Sequence, residues 1–379
     1  MPLALLSDEE KIILLESPEF DPTQSGFRLE ASDNNDDVVV NYVHPYQLNV
    51  PYDDYFVFAL TCQTYSENDI FEVYECAPDQ RVGLIFPLQA LVSREHKKVE
   101  EVSFLRFAQG AFMHLCRGNL ECHLKMPFRG MQNEYLITDF YAQDTIVLII
   151  YSKMLKDSSK FNIDNYLPSL FQQGYFLQTP GIDPSTLFKS NLGNNGAARD
   201  ARRVYLEPMS PLLSEIQFIS NTFRVLLPYE RNSLTTFFYL YQLIELLMGV
   251  ILQTSYDEIK RKLVDEGHTS SDIRDILDDL NESLSEKKRL NKLTSSHLSK
   301  SPDMTQLRID CNAFLDHQES NLKTTPGNRN FAEFLYPVRN AVFHNLRSVK
   351  PDSQKTLERI SESLKPVVCS FLINYQGAS

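Results

Sequence analysis

The six residues Arg339-Asn340-Ala341-Val342-Phe343-His344 place a fixed cation, an amide and a titratable imidazole within two turns of a helix. That set can cut a phosphodiester without a metal. The guanidinium is positive at any working pH, and its planar fork of donors matches phosphate oxygens and the extra charge of the transition state. Imidazole moves a proton near neutrality.

Spacing limits what one copy can do. At about 100° per residue, Asn340 and His344 lie about 40° apart, whereas Arg339 lies about 140° from His344. Two local remedies exist. The long Arg side chain can wrap round the helix, or Pro337 can start or bend the helix so that Arg339 sits in its first turn, among free backbone N–H groups that favour an anion. A second copy of the motif across a dimer is a third remedy. The alternative without chemistry is a buried Arg and Asn tying a helix to neighbouring backbone carbonyls.

Arg, a polar residue, a few variable positions and then His resembles the signature of the HEPN superfamily. Here the motif falls in the penultimate helix of a helical C-terminal segment. Upstream, Phe237-Phe238-Tyr239-Leu240-Tyr241-Gln242-Leu243-Ile244-Glu245 looks like the HEPN helix that presents an acidic residue to the motif. The resemblance implies a compact helical bundle and a metal-independent endoribonuclease. In such enzymes two protomers face each other, the ribose 2′-OH attacks the adjacent phosphate, and a cyclic phosphate and a 5′-OH result. Carried onto this chain, Arg339 binds phosphate, His344 moves the proton, Asn340 orients the site, and Glu245 is the acidic partner. No cofactor or metal is implied. HEPN toxins silenced by a nucleotidyltransferase carry Tyr two positions after the His; Leu346 stands there in this chain, which argues against that control. Family members coupled to an unrelated domain are often toxins or abortive-infection effectors in prokaryotic antiphage defence, and that role is the expectation by analogy. The rivals are a catalytically silent HEPN dimerisation or adaptor module, and a metal- or nucleotide-dependent enzyme centred on the N-terminal half.

Other groups carry less. Lys260-Arg261-Lys262, Lys287-Lys288-Arg289 and Arg347 could hold RNA phosphates beside the motif, although basic runs are also ordinary solvated helix faces. His114, Cys116, Cys122 and His123 offer four zinc-type ligands in ten residues. Their spacing lacks the paired Cys-x-x-Cys, and the alternative is buried sulfur. Gly193 to Gly196 lacks the Lys-Ser/Thr of a phosphate loop.

A hydrophobic fraction of 42%, with 24 Phe and 18 Tyr, requires a folded core rather than disorder. Length allows two domains. Charge separates them: residues 1–200 hold 15 Lys and Arg against 28 Asp and Glu, whereas residues 201–379 hold 22 of each. The acidic half repels nucleic acid and suits a basic protein surface, so RNA contact belongs to the second half. Met1-Pro2-Leu3-Ala4-Leu5-Leu6 runs at once into Ser7-Asp8-Glu9-Glu10, which does not read as a signal peptide. The apolar run Phe237 to Leu252 is broken by Gln242 and Glu245 and suits a bundle helix better than a membrane span. Six cysteines without a framework spacing fit a reduced, cytoplasmic protein with no membrane partner.

Two textures divide the elements. Runs at Asp37–Val43, Tyr55–Leu60, Ile70–Tyr74, Gly83–Phe86, Glu134–Ile137 and Thr145–Ile150 read as strands, with a helix near Val102–Cys116. After the turn-rich Ser190–Gly196 the period becomes helical, with helices at Leu212–Leu226, Leu234–Leu252, Ile273–Leu293 and Met304–Phe314 and a loop at Thr294–Pro302. Leu357, Ile360, Leu364, Val367, Val368, Phe371 and Leu372 mark one face of a terminal helix. The expected fold class is α+β: a mixed, β-rich domain over 1–200, for sensing or partner binding, then an all-α bundle over 201–379.

Overall fold

The computed structural model describes residues 3–377 apart from 8, 33–36, 45–46, 49–50, 63–64, 77–78, 119, 121–123, 125–131, 133, 143, 188–202, 265–273, 277, 279, 282–283, 318–329 and 345–352; for Tyr52, His344 and Ser353 it describes the backbone alone. The chain forms two compact units, Met1–Glu207 and Pro208–Ser379. The division falls a little after residue 200 because a strand at Arg203–Leu206 pairs within the first unit.

The first unit holds two sheets. One runs in the order β1-β2-β3-β4-β8, from Ala4–Leu6, Ile12–Asp21, Gly26–Ala31, Asp37–Asn41 and Glu134–Leu136. The other runs β10-β5-β9-β7-β6-β11, from Tyr175–Leu177, Tyr55–Cys62, Thr145–Tyr151, Gln80–Pro87, Phe71–Glu75 and Arg203–Leu206. All pairings are antiparallel except β4 with β8 and β6 with β11. The continuous apolar run of β9 suits a central strand buried on both faces. Helix α1, Val102–Cys116, serves both sheets: Phe112 stacks on Phe27 of β3 at 5.2 Å, and Phe104 meets Phe86 of β7 edge-on at 5.4 Å. Every expected strand is present, and α1 has the expected bounds.

Strands β1, β2, β3, β10 and β11 went unread. Leu3 and Leu5 are buried, so the apolar N-terminus is core strand. In β2 the register shifts between Glu16 and Glu19, and Ser17 has φ of 52°. A bulge beside Pro18 interrupts the alternation by which a strand is recognised.

The second unit is helical among its described residues. Of the expected helix Leu212–Leu226, a 3₁₀ turn forms at Pro211–Leu213 and one continuous helical run begins at Gln217 and ends at Tyr229, as α4 at Gln217–Asn221, a π turn at Thr222–Leu226 and α5 at Leu227–Tyr229. The Thr222 hydroxyl donates to the Phe218 carbonyl, and Pro228 lacks a backbone N–H, so regular continuation is weakened. Short α2, Ile137–Phe140, and α3, Leu167–Gln172, precede these in the first unit. The bundle proper consists of α6 (Ser233–Val264), α7 (Glu286–Ser296), α8 (Thr305–His317), α9 (Phe331–His344) and α10 (Ser353–Asn374). Asn232 caps α6 by accepting from the N–H groups of Leu234 and Thr235. Within the expected helix Ile273–Leu293, residues 274–276, 278, 280–281 and 284 are helical, Ser285 is extended, and α7 then starts at Glu286 and runs to Ser296 through part of the expected loop. The seven residues read as one face of α10 are all buried.

Helix α6 is long and apolar enough to cross a membrane by length and composition, yet half of its most apolar window is buried. Phe237, Leu240, Ile244, Leu247 and Ile251 face the bundle core, as a soluble protein's central helix would place them.

Candidate functional site

Helix α9 begins well before the motif. Asn330 and Glu333 form a reciprocal cap, with the Glu333 N–H donating to Asn330 Oδ1 and the Asn330 N–H to Glu333 Oε2. Pro337 is therefore interior, and Arg339 lies beyond the first turn, where the backbone N–H groups are committed to the helix. The remedy of an anion held by first-turn N–H groups is excluded.

Arg339 finds its partners on two other helices. Its Nη2 donates to Glu245 Oε1 of α6 at 3.2 Å, and its Nε lies 3.7 Å from Glu286 Oε1 of α7. Nη1 donates to Asn340 Oδ1 at 3.2 Å. The guanidinium carbon stands 5.3 Å from the centre of the Phe343 ring and 5.7 Å from that of Tyr241. The carboxylates are themselves held: Tyr241 donates its hydroxyl to Glu286 Oε1 at 2.8 Å, and Gln242 Nε2 donates to Glu245 Oε2 at 2.5 Å. Arg339, Asn340 and Glu245 thus meet in one half-buried cluster. His344 closes α9, and its side chain lies outside the described residues.

The electrostatics follow from this geometry. Burial acts to lower the Arg339 pKa, but the Glu286 charge and the Glu245 hydrogen bond outweigh it and hold the group above its ordinary value. Burial, then the Glu286 charge, pushes the Tyr241 hydroxyl well up, so Tyr241 stays protonated and acts as a donor, not a base. One guanidinium faces two carboxylates, leaving the cluster with an excess negative charge. It can fix Arg339 in orientation, but a phosphate reaching it alone meets a cluster whose net charge repels it.

Glu286 and Tyr241 were not singled out from sequence. Tyr241 stands four residues before Glu245, on the same helix face, which was a usable signal. Glu286 reads locally as an ordinary acidic first-turn residue; only the packing of α7 beside α9 brings it to Arg339.

The basic residues divide. Lys287 and Lys288 are exposed on α7 next to Glu286, and Lys287 Nζ lies 4.0 Å from Glu333 of α9. Arg289 is half-buried and donates to the Leu284 carbonyl at 3.0 Å, so it is partly spent on the helix start. Lys260, Arg261 and Lys262 are exposed near the C-terminal end of α6, about 22 Å along the helix from Glu245 at 1.5 Å per residue. They are not brought to the cluster. Arg347 lies outside the described residues.

Of the four zinc-type ligands, Cys122 and His123 lie outside the described residues. Cys116 is fully buried in α1, where burial raises its thiol pKa well above the usual value. Among the described residues no three His, Cys, Asp or Glu side chains gather as a metal site. No family model, curated protein or solved structure matches the chain.

Proposed function

We propose that the helical unit is a metal-independent endoribonuclease of HEPN type that cuts RNA as a two-fold dimer. The observation that carries this reading is the 3.2 Å pair between Arg339 of α9 and Glu245 of α6, with Asn340 on the same guanidinium. In the reaction the 2′-oxygen loses its proton and bonds to phosphorus, the bond to the 5′-oxygen breaks, and that oxygen takes up a proton. Arg339 holds the phosphate, His344 moves the proton, and Asn340 and Glu245 orient the cation. A two-fold copy brings its own Glu245 and Glu286 with its Arg339, so in this reading the second motif supplies a second guanidinium and imidazole, while the added positive charge has to come from Lys287 and Lys288 of both copies. A cytoplasmic defence toxin, triggered by a basic partner at the acidic first unit, is the role this reading carries.

The test is incubation of the purified full chain with total RNA in EDTA. Cleavage to 2′,3′-cyclic phosphate ends is expected, with Arg339→Ala and His344→Ala each losing about a hundredfold or more and the double variant scarcely worse, since residues acting as a unit are non-additive. Light scattering should give about twice the 43.7 kDa chain mass. Either variant cleaving at the normal rate while folded overturns the site.

A second reading has its own observation. A guanidinium held by two carboxylates and flanked by Tyr241 and Phe343 is also what a structural tie looks like. A silent adaptor of this kind gives no cleavage under any condition, while Arg339→Ala still destabilises the bundle.

A further inference from the structure

The first unit contains a cleft of about 430 Å³ whose lining includes Tyr55, Arg81, Ser103, Arg106, Phe107 and Tyr151. That volume falls in the range of small-molecule sites. The sheet builds it. Tyr55, at the start of β5, is the cross-strand partner of Tyr151, at the end of β9, and their rings stand 5.1 Å apart. Arg81 lies near the start of β7, the neighbour of β9. Helix α1 crosses these strand ends and brings Ser103, Arg106 and Phe107. Gly110 permits the approach, because a Cβ there would come within 3.2 Å of the Tyr55 ring.

The cleft therefore joins flat rings to cations. Phe107 meets Tyr55 edge-on at 5.6 Å, and the Arg81 guanidinium carbon lies 5.9 Å from the Phe107 ring centre. Two nearby acids are occupied: Glu72 takes Arg81 Nη1 at 2.9 Å, and Asp54 takes Lys153 at 2.5 Å. Arg106 is exposed and pairs with no carboxylate among the described residues. An uncommitted cation beside aromatic rings stands out in a half of the chain where 15 cations face 28 acids.

We propose that this cleft binds a 5′-mononucleotide, its base against Phe107 and Tyr151 and its phosphate on Arg106 and Arg81. Rings and guanidinium groups are the two elements that recognise a base and a phosphate together. A long nucleic acid is disfavoured, because its further phosphates would run over an acidic surface. A single nucleotide meets only the cleft. The inference is independent of the ribonuclease reading.

Isothermal titration of the full chain with AMP, GMP, CMP and UMP tests it, against inorganic phosphate and the four nucleosides. At least one nucleotide is expected to bind, with phosphate alone and its nucleoside at least tenfold weaker. Arg106→Ala and Ser103→Asp change exposed positions and should each weaken binding at least tenfold, with the circular dichroism spectrum unchanged. No binding by any of the four nucleotides to folded protein overturns the proposal. So does equal binding to Arg106→Ala, or phosphate binding as tightly as the nucleotide.

Discussion

The sign of one substitution depends on whether Glu286 is truly coupled to Arg339. At 3.2 and 3.7 Å, and at an effective dielectric near 20, each Arg–Glu attraction is about 4–5 kcal/mol before desolvation. Side-chain exposures of 17% for Arg339, 31% for Glu245 and 22% for Glu286 leave water to screen part of it. Desolvation and side-chain ordering bring the net to about 1–2 kcal/mol for each pair. Arg339→Ala removes both and leaves two carboxylates facing one space, so a loss of about 3 kcal/mol is expected. Glu286→Gln in the native background should cost about 1 kcal/mol, because Gln still accepts from Tyr241. In the Arg339→Ala background the same change relieves repulsion and should be neutral or stabilising. The measurement is urea unfolding followed by helical circular dichroism, completed as a double-mutant cycle. An equal cost of Glu286→Gln in both backgrounds would refute the coupling, and with it the account of how Arg339 is held.

Further outcomes follow from the same structure. Gly83→Ala should destabilise the first unit by more than about 3 kcal/mol, read as a drop in its melting temperature, because a Cβ there would overlap the Ile149 carbonyl of β9. Acid should weaken the first unit in two stages. His44, lowered to about 4 by burial with His96 and Arg94 adding, keeps its stabilising neutrality above about pH 6.5 and loses it as pH falls toward 4. Asp21, held at about 2 by Thr23 and Arg28, contributes above about pH 4 and is lost as pH falls toward 2. Melts across pH should show the upper stage flattened by His44→Asn and the lower one by Asp21→Asn; unchanged profiles count against these assignments. Residues 208–379, with their own buried helical core, should fold alone and melt cooperatively by circular dichroism.

What the sequence determined by itself was local and periodic. The face of α10, the bounds of α1 and the central strands β5, β7 and β9 were legible, because apolar residues recur with the period of the element that buries them. The change of texture located the two halves. The motif Arg339-Asn340 with Glu245 upstream was legible as a resemblance of short spacing. What failed was decided by features that carry no period. A bulge at Ser17 and Pro18 hid β2, and a short parallel strand, β11, joined the sheet from beyond the expected boundary. Only the tertiary structure decided the company of Arg339. Glu286 lies more than fifty residues before it in the chain, and no rule of spacing predicts that α7 would pack its first turn against α9. The same holds for the cleft of Tyr55, Arg81, Arg106 and Tyr151. Its members come from three strands and one helix, each unremarkable in its own segment. Side-chain period is a property of one element, whereas a site is a coincidence of several, fixed by register and packing that act across the chain.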